Sequence, residues 1–266
     1  MPGLTSISNI PESKITSIAT YNSQNNNTAL TNFCQPIEDK FQSTDNDEHI
    51  EIELREAWKA VIEAAASTPH SSPQKQKIAD FILDVQAQPA VEKDGEKCTM
   101  HEMRLWTDLP LFGWVMREVW NTDTSDNTDP ETKTQWLNLN AWTATLMTSQ
   151  HTNSVREPDV SNLGLWTIRA ALESDQPSNL ELAAAAVWFV YASPAIWGLS
   201  LQEKTFEGKM AKPGPRFRDR VWRGFSRERW ESWLERLGGC EERGLNEETR
   251  MLVQKARKAM GEVVKN

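Results

Sequence analysis

Residues 180–192, LELAAAAVWFVYA, are the most apolar stretch of the chain and decide the expected fold. Ser178 and Glu181 stand in front of this stretch at the spacing of a capping box, which predicts that a helix begins there. The run of four alanines lets neighbouring helices approach closely, and the larger side chains after it fill the space between them. Pro194 is expected to end or kink the helix. The stretch therefore predicts the central helix of a helix-on-helix core.

Outward from this helix, apolar residues recur at intervals of three and four in most other segments. No segment alternates apolar and polar residues convincingly, and no βαβ spacing is found. The sequence thus predicts an all-α protein, a single multi-helix domain of roughly eight or nine helices with a disordered N-terminal tail. The expected tail is residues 1–46, which are rich in Asn, Ser and Thr. The expected helical domain is 47–266, with an N-terminal helical hairpin at 47–89 and a main body at 105–266.

Charge and cysteine content limit the expected partners and compartment. The net charge of −9 argues against a general binder of nucleic acid or anionic lipid. The three cysteines are widely spaced and form no C-x-x-C pair, which favours free thiols in a reducing compartment. The N-terminus lacks the features of a signal peptide, and no stretch approaches about 18 consecutive apolar residues. We therefore expect a cytoplasmic or nuclear protein that does not act at a membrane.

Tryptophan is unusually frequent, with twelve residues against two tyrosines. Helical spacing puts most of them on core-facing stripes, so core packing is the simpler interpretation. The alternative is that several tryptophans line an apolar pocket in which nearby polar side chains contact a small molecule. The residues of this candidate pocket are Trp114, Arg117, Glu118, Trp120, Trp136, Asn138, Asn140, Trp166, Arg169 and Glu173.

Two pairs of charged residues fall within that set. Arg169 and Glu173 are four residues apart on one predicted helix, whereas Arg117 and Glu118 are adjacent and point in different directions. A buried network of all four charges can be drawn, but the sequence does not imply one. Structural pairing is favoured over acid–base catalysis for these residues.

Residues 216–230, RFRDRVWRGFSRERW, form a basic segment in an acidic chain. Residues 204–236 hold ten basic and five acidic side chains, whereas residues 1–203 hold thirteen and twenty-eight. Arginine side chains match phosphate or carboxylate groups, and the aromatic residues between them can stack on a base. The candidate contacts for an anion or an acidic partner are Arg216, Arg218, Arg220 and Arg223. The simpler alternative is attraction to the chain's own acidic surface, and nucleic acid is the least favoured partner.

The catalytic motifs that can be recognised by spacing are missing. No phosphate-binding loop, dinucleotide fingerprint, nucleophile elbow or kinase signature is present, and we expect neither a metal site nor a cofactor. Cys98 and His101 lie close together beside Lys97, which would favour a thiolate, but this spacing is common by chance. Whether the chain is an enzyme stays open at this point.

Five strings, in this order, resemble the fungal protein family classed as a domain of unknown function, DUF3632. They are LWTDLPLFGWVMREVWN at 105–121, WLNLNAW at 136–142, LWTIRAALE at 165–173, LELAAAAVWFVYA at 180–192 and GFSRERWESWLERL at 224–237. The resemblance spans roughly residues 50–260 and implies an intracellular, mostly helical protein of a filamentous fungus. It implies no activity or catalytic residues.

Two roles are compatible with these observations. The first is a non-catalytic interaction or regulatory protein that acts on an unknown protein or small-molecule partner. The alternative is an accessory enzyme or ligand-binding protein of a secondary-metabolite gene cluster, since many uncharacterised fungal families have members in such clusters.

Overall fold

The chain is all-α, as the sequence predicts. The computed structural model describes Leu4, Ile18, Tyr21 and residues 26–44, 46–125, 127–155, 157–240 and 244–265. The α-helices in these residues are α1 (Asn26–Ser43), α2 (Asp47–Ser67), α3 (Gln74–Gln86), α4 (Phe112–Val119), α5 (Pro130–Thr152), α6 (Ser161–Leu172), α7 (Asn179–Leu201), α8 (Arg227–Cys240) and α9 (Glu247–Val263). Packing divides the chain into two compact units. The first is Met1–Thr122 with Ser154–Asp159, and the second is Asp123–Asn153 with Val160–Asn266.

An aromatic core joins the helices of the first unit. The ring of Phe33 on α1 lies 5.8 Å from that of Trp58 on α2 and 5.0 Å from that of Phe81 on α3. The Trp58 ring in turn lies 5.4 Å from that of Phe112 on α4. Trp58 also donates a hydrogen bond from its indole nitrogen to the Pro110 carbonyl at 2.7 Å, so its polar group is paired inside the core.

The predicted N-terminal hairpin at 47–89 is part of a larger unit. Helix α4 also packs on α2, and the first unit continues to Thr122. The connection between α3 and α4 contains two short antiparallel hairpins, β1 (Glu92–Lys93) with β2 (Glu96–Lys97) and β3 (Thr99–Met100) with β4 (Met103–Arg104).

Part of the predicted tail of residues 1–46 is helical, because α1 occupies Asn26–Ser43. This helix buries Leu30, Phe33, Ile37 and Phe41, which are spaced as one face of a helix. Its polar composition hid a helical period that is stabilised by packing against α2 and α3. Most of residues 1–25 lie outside the described residues.

Helix α7 is the centre of the second unit and packs against α5, α6, α8 and α9. Ser178 and Glu181 form the predicted capping box, in which the Glu181 amide donates to Ser178 Oγ at 3.1 Å and the Ser178 amide donates to Glu181 Oε2 at 2.8 Å. The helix bends at Ala192, two residues before Pro194, and continues to Leu201. The two signals predicted for its start and its kink are both confirmed.

By length and hydropathy alone, α7 could cross a membrane, although no run of unbroken apolar residues reaches that length in the sequence. Two thirds of its most apolar window is buried inside the structure. A helix that is apolar on all sides and is surrounded by other helices is typical of a protein core, so the length of α7 is weak evidence for a membrane span.

Candidate functional site

The ten residues of the candidate pocket are divided between the two units. Four lie in the first unit, Trp114, Arg117, Glu118 and Trp120, and six in the second, Trp136, Asn138, Asn140, Trp166, Arg169 and Glu173. Of the twelve tryptophans, eight are buried, which places most of the indole surface in the two cores. Within the candidate set, only Trp114 is classed as an exposed tryptophan, with 48 % of its surface accessible.

In the first unit, Trp114 and Glu118 lie on one face of α4 and border a network of polar contacts. The Trp114 ring lies 5.0 Å from the ring of His101, whose Nε2 is 3.3 Å from Glu51 Oε2. Arg55 joins this network to α4, because its Nε binds Glu51 and its Nη1 binds Glu118, each at 2.8 Å. The hydrogen bonds from Arg55 and His101 hold the pKa of Glu51 below its ordinary value.

The thiol of Cys98 lies in the same unit but does not have the properties of a nucleophile. Burial raises the pKa of Cys98, which disfavours the reactive thiolate. His101 instead contacts Glu51 and Trp114. The hypothesis of a Cys98–His101 nucleophile therefore receives no support from the geometry.

In the second unit, Asn140 connects three helices through its buried amide. Its Oδ1 accepts hydrogen bonds from the indole nitrogen of Trp188 at 2.8 Å and from the Thr167 hydroxyl at 3.1 Å. Its Nδ2 donates to the carbonyl of Trp136 at 2.9 Å. Asn140 therefore joins α5 to α6 and α7, and its side-chain oxygen accepts from donors within the protein. Asn138 and Trp136 are also buried, whereas Trp166 is partly exposed.

Arg169 and Glu173 do not form the ion pair that their spacing suggested. Arg169 donates from Nε to the Lys212 carbonyl at 2.7 Å and from Nη2 to the Pro213 carbonyl at 3.2 Å. Burial lowers the pKa of Arg169, and the nearby charge of Glu173 opposes this effect. The side chain thus binds the backbone of a loop, and Glu173 pairs with another residue.

The partner of Glu173 is Arg229, at the first turn of α8. Arg229 Nε lies 2.6 Å from Glu173 Oε1, and Arg229 Nη2 lies 3.1 Å from Glu173 Oε2. Both side chains are fully buried. Glu173 accepts two further bonds, from the Trp233 indole at 2.8 Å on Oε1 and from the Gly214 amide at 2.6 Å on Oε2. Each carboxylate oxygen therefore has two protein donors.

Arg229 uses its remaining donors on the backbone. Its Nη1 donates to the carbonyls of Ala211 at 3.0 Å and Gly224 at 2.7 Å, and its Nη2 donates to that of Lys212 at 3.3 Å. A guanidinium has five N–H groups, and this one has five acceptors. The guanidinium carbon also lies 5.5 Å from the Trp222 ring and 5.4 Å from the Trp233 ring, which is the distance range of a cation–π contact.

These contacts fix both ends of residues 212–224, which we call the basic loop. Arg169, Glu173 and Arg229 bind its first residues, and Arg229 binds Gly224 at its end. A short antiparallel bridge closes the loop, since the Phe206 amide donates to the Arg223 carbonyl at 2.8 Å and the Phe225 amide to the Lys204 carbonyl at 2.9 Å.

Two glycines are required at the base of the basic loop because the backbone approaches other atoms closely. A Cβ on Gly214 would lie 2.6 Å from the Cβ of Glu173. A Cβ on Gly224 would lie 2.1 Å from the Lys204 carbonyl oxygen. Neither contact leaves room for a side chain, so both positions favour glycine for steric reasons.

The arginines proposed for an anion or an acidic partner all lie on this loop and are exposed. Arg216 lies 3.8 Å from Asp175, and Arg220 forms an ion pair at 2.5 Å with Glu228, so two of them are paired within their own unit. Arg218 Nε donates to the carbonyl of Pro215 at 3.0 Å. The backbone carbonyl of Arg223 accepts the hydrogen bond from the Phe206 amide that closes the loop.

Arg229 is the central residue that the sequence reasoning missed. It lies inside the quoted basic segment, but nothing in the charge count distinguishes it from its exposed neighbours. The signal was its position four residues before Trp233 on the apolar face of α8, which places the guanidinium in the core. Gly214 and Gly224, near the two ends of the basic loop, were a second signal. Glycine at the ends of a loop indicates that the backbone approaches other atoms closely there.

The comparisons with known proteins give one family. The model described as "Protein of unknown function (DUF3632)" matches residues 58–237, which include Glu173, Arg229 and the whole basic loop. No curated protein and no solved structure matches the chain. Because the match covers more than half of the chain, the protein belongs to the DUF3632 family.

Proposed function

We propose that the chain works by binding a protein partner, as a non-catalytic helical interaction or regulatory protein of a filamentous fungus, in the cytoplasm or the nucleus. The observation that carries this proposal is that protein groups use the full hydrogen-bonding capacity of the Glu173 carboxylate. Each of its two oxygens accepts two hydrogen bonds from the protein itself. A general acid or base must reach a proton on the substrate, and a fully buried and fully bonded carboxylate has no such access.

The other candidates for chemistry also have structural roles. The buried oxygen of Asn140 accepts from Trp188 and Thr167, and the thiol of Cys98 is buried with a raised pKa. Arg169 binds two backbone carbonyls. These contacts support the interpretation of the buried polar groups as parts of the scaffold, with function on the surface.

A reconstitution experiment tests this proposal. The tagged full-length chain is purified from its natural source, and each co-purifying protein is then produced separately and mixed with the purified chain. We expect at least one protein to form a complex of defined stoichiometry on size-exclusion chromatography with light scattering. Failure of every candidate to form such a complex would contradict the proposal.

The secondary-metabolite role is the alternative and predicts a different result. If the chain is an accessory enzyme or a ligand-binding protein of such a cluster, its deletion changes the profile of secondary metabolites under producing conditions. An unchanged profile would contradict the secondary-metabolite role. A changed profile, together with failure of every candidate partner to form a complex, would favour that role over ours.

A further inference from the structure

The most exposed apolar side chain of the second unit lies on the basic loop. Val221 is 90 % exposed, and the loop side chains on either side of it include Arg218, Arg220 and Arg223. The two aromatic rings of the loop do not share this exposure, because Phe217 and Trp222 contact each other at 5.2 Å and Trp222 is buried. The loop therefore presents one apolar side chain among cations.

The charge of the loop is only partly balanced by its surroundings. Residues 212–224 contain five basic side chains and one acidic side chain. Arg216 and Arg220 have carboxylate neighbours, Asp175 and Glu228. The side chains of Arg218 and Arg223 form no ion pair within the part of the chain that the structure describes. These two guanidinium groups are the ones available to an anionic partner.

The loop is also held in one conformation before any partner arrives. Arg229 and Arg169 bind the carbonyls of residues 211–213, Glu173 binds the Gly214 amide, and the bridge between Thr205 and Gly224 closes the other end. A surface that is ordered in advance loses less conformational entropy on binding. The buried ion pair thus acts as a support for the exposed arginines.

The chemistry of the loop favours an acidic peptide over other anions. A guanidinium binds a carboxylate through two parallel hydrogen bonds, and Val221 offers contact to an apolar side chain between the acidic residues. Single-stranded nucleic acid needs exposed rings for base stacking, whereas Trp222 is buried and its indole nitrogen donates to Glu228 at 2.7 Å. A membrane is a less suitable partner, because the loop offers a single apolar side chain for insertion and the chain has a net charge of −9.

We propose that the basic loop is the docking surface for an acidic segment of a partner protein. Carboxylates of this segment bind Arg218 and Arg223, and one of its apolar side chains packs on Val221. This inference rests on the proposed function, because it identifies the surface and the chemistry of the interaction.

Fluorescence anisotropy with the full-length chain tests the inference. The probe is a fluorescein-labelled peptide of aspartate and glutamate residues with one central leucine, and a second peptide carries serine in place of that leucine. The test variant is Arg218→Glu with Arg223→Glu. The matched control is Lys255→Glu with Lys265→Glu, which changes the charge of the same unit equally at exposed positions on α9 and just after it.

We expect the leucine peptide to bind the natural chain, with an affinity that falls as salt is raised. The loop variant should bind at least about tenfold more weakly, and the control should bind within about twofold of the natural chain. Val221→Ser should remove the preference for leucine over serine. All variants should keep the melting temperature of the natural chain, because the substituted side chains are exposed.

Absence of peptide binding would overturn the inference, and so would equal binding of the peptide by the loop variant and the natural chain. A third contradicting result is that the loop binds phosphatidylserine vesicles or a single-stranded oligonucleotide but does not bind the peptide. The reconstitution experiment separates this failure from that of the proposed function. A partner that forms the same complex with the natural chain and the loop variant contradicts the docking surface and leaves the proposed function intact.

Discussion

Glu173 and Arg229 form a fully buried ion pair with two points of contact, although 56 positions separate them in the sequence. Desolvation of two charges is costly, and such a pair adds little net stability compared with apolar residues of similar volume. Removal of one partner is different, because the remaining charge then stays buried without compensation. The pair also holds the two ends of the basic loop, so its loss is expected to affect both stability and loop order.

Substitution of either partner should destabilise the protein strongly. We expect Glu173→Ala or Arg229→Ala to lower the free energy of unfolding by about 3–5 kcal/mol, measured by urea denaturation. The control is Glu247→Ala, which breaks the exposed ion pair with Arg250 and should cost less than about 1 kcal/mol. Losses of similar size at the buried and the exposed pair would contradict the structural role of Glu173.

The glycines of the loop base provide a second prediction. Gly214→Ala and Gly224→Ala should each destabilise the protein, because the added methyl group would overlap Glu173 or the Lys204 carbonyl. The control is Gly261→Ala in α9, where nothing lies within 4 Å of the added Cβ. That substitution should stabilise the helix by about 0.5–1 kcal/mol. Thermal unfolding of the three variants checks the difference in sign.

Asn140 should be sensitive to the loss of its acceptor. In Asn140→Leu, the indole of Trp188 and the hydroxyl of Thr167 lose their shared partner in the core. We expect a loss of about 1–3 kcal/mol for each buried group left without a hydrogen bond. Thr145→Val is the control, because the Thr145 hydroxyl bonds only to the Ala141 carbonyl of its own helix. A smaller effect at Asn140 than at Thr145 would argue against its role as a connection between helices.

The thiol of Cys34 predicts a dependence of stability on alkaline pH. Burial, with a smaller effect of the Glu38 charge, raises the pKa of Cys34 from 9.0 to about 12. The folded protein therefore holds this proton where the unfolded chain releases it, and stability is expected to fall as the pH rises from about 9 toward 12. Cys34→Ala should make the decline shallower in denaturant unfolding measured across this range. An unchanged slope would contradict the raised pKa.

Signals close in sequence were predicted well. The capping box of Ser178 and Glu181 and the kink near Pro194 both follow from residues within a few positions of one another. The carboxylate of Asp129 is a cap of the same local kind, since it accepts from the Thr132 amide at 2.9 Å at the start of α5. Such signals act through local backbone geometry, so they can be recognised without knowledge of the fold.

The contacts of the candidate site could not be predicted in the same way. Arg169 and Glu173 have the spacing of a helical ion pair, yet each binds a distant segment, because residues 212–216 of the basic loop return to them. Helix α1 was hidden for a related reason, since its apolar face is stabilised by α2 and α3 and not by its own composition. The residues of the candidate pocket are divided between the two units, so their grouping into one pocket stays a prediction.

Amide hydrogen exchange at the base of the basic loop tests the central claim most directly. The amides of Gly214, Arg216 and Phe225 donate to Glu173 Oε2, the Glu173 carbonyl and the Lys204 carbonyl. We predict that all three exchange slowly in the natural chain and at least about tenfold faster in Glu173→Gln, and that this acceleration is larger than that of the amides of α9. Fast exchange of these amides in the natural chain, or equal rates in the variant, would contradict the claim that the buried ion pair orders the basic loop.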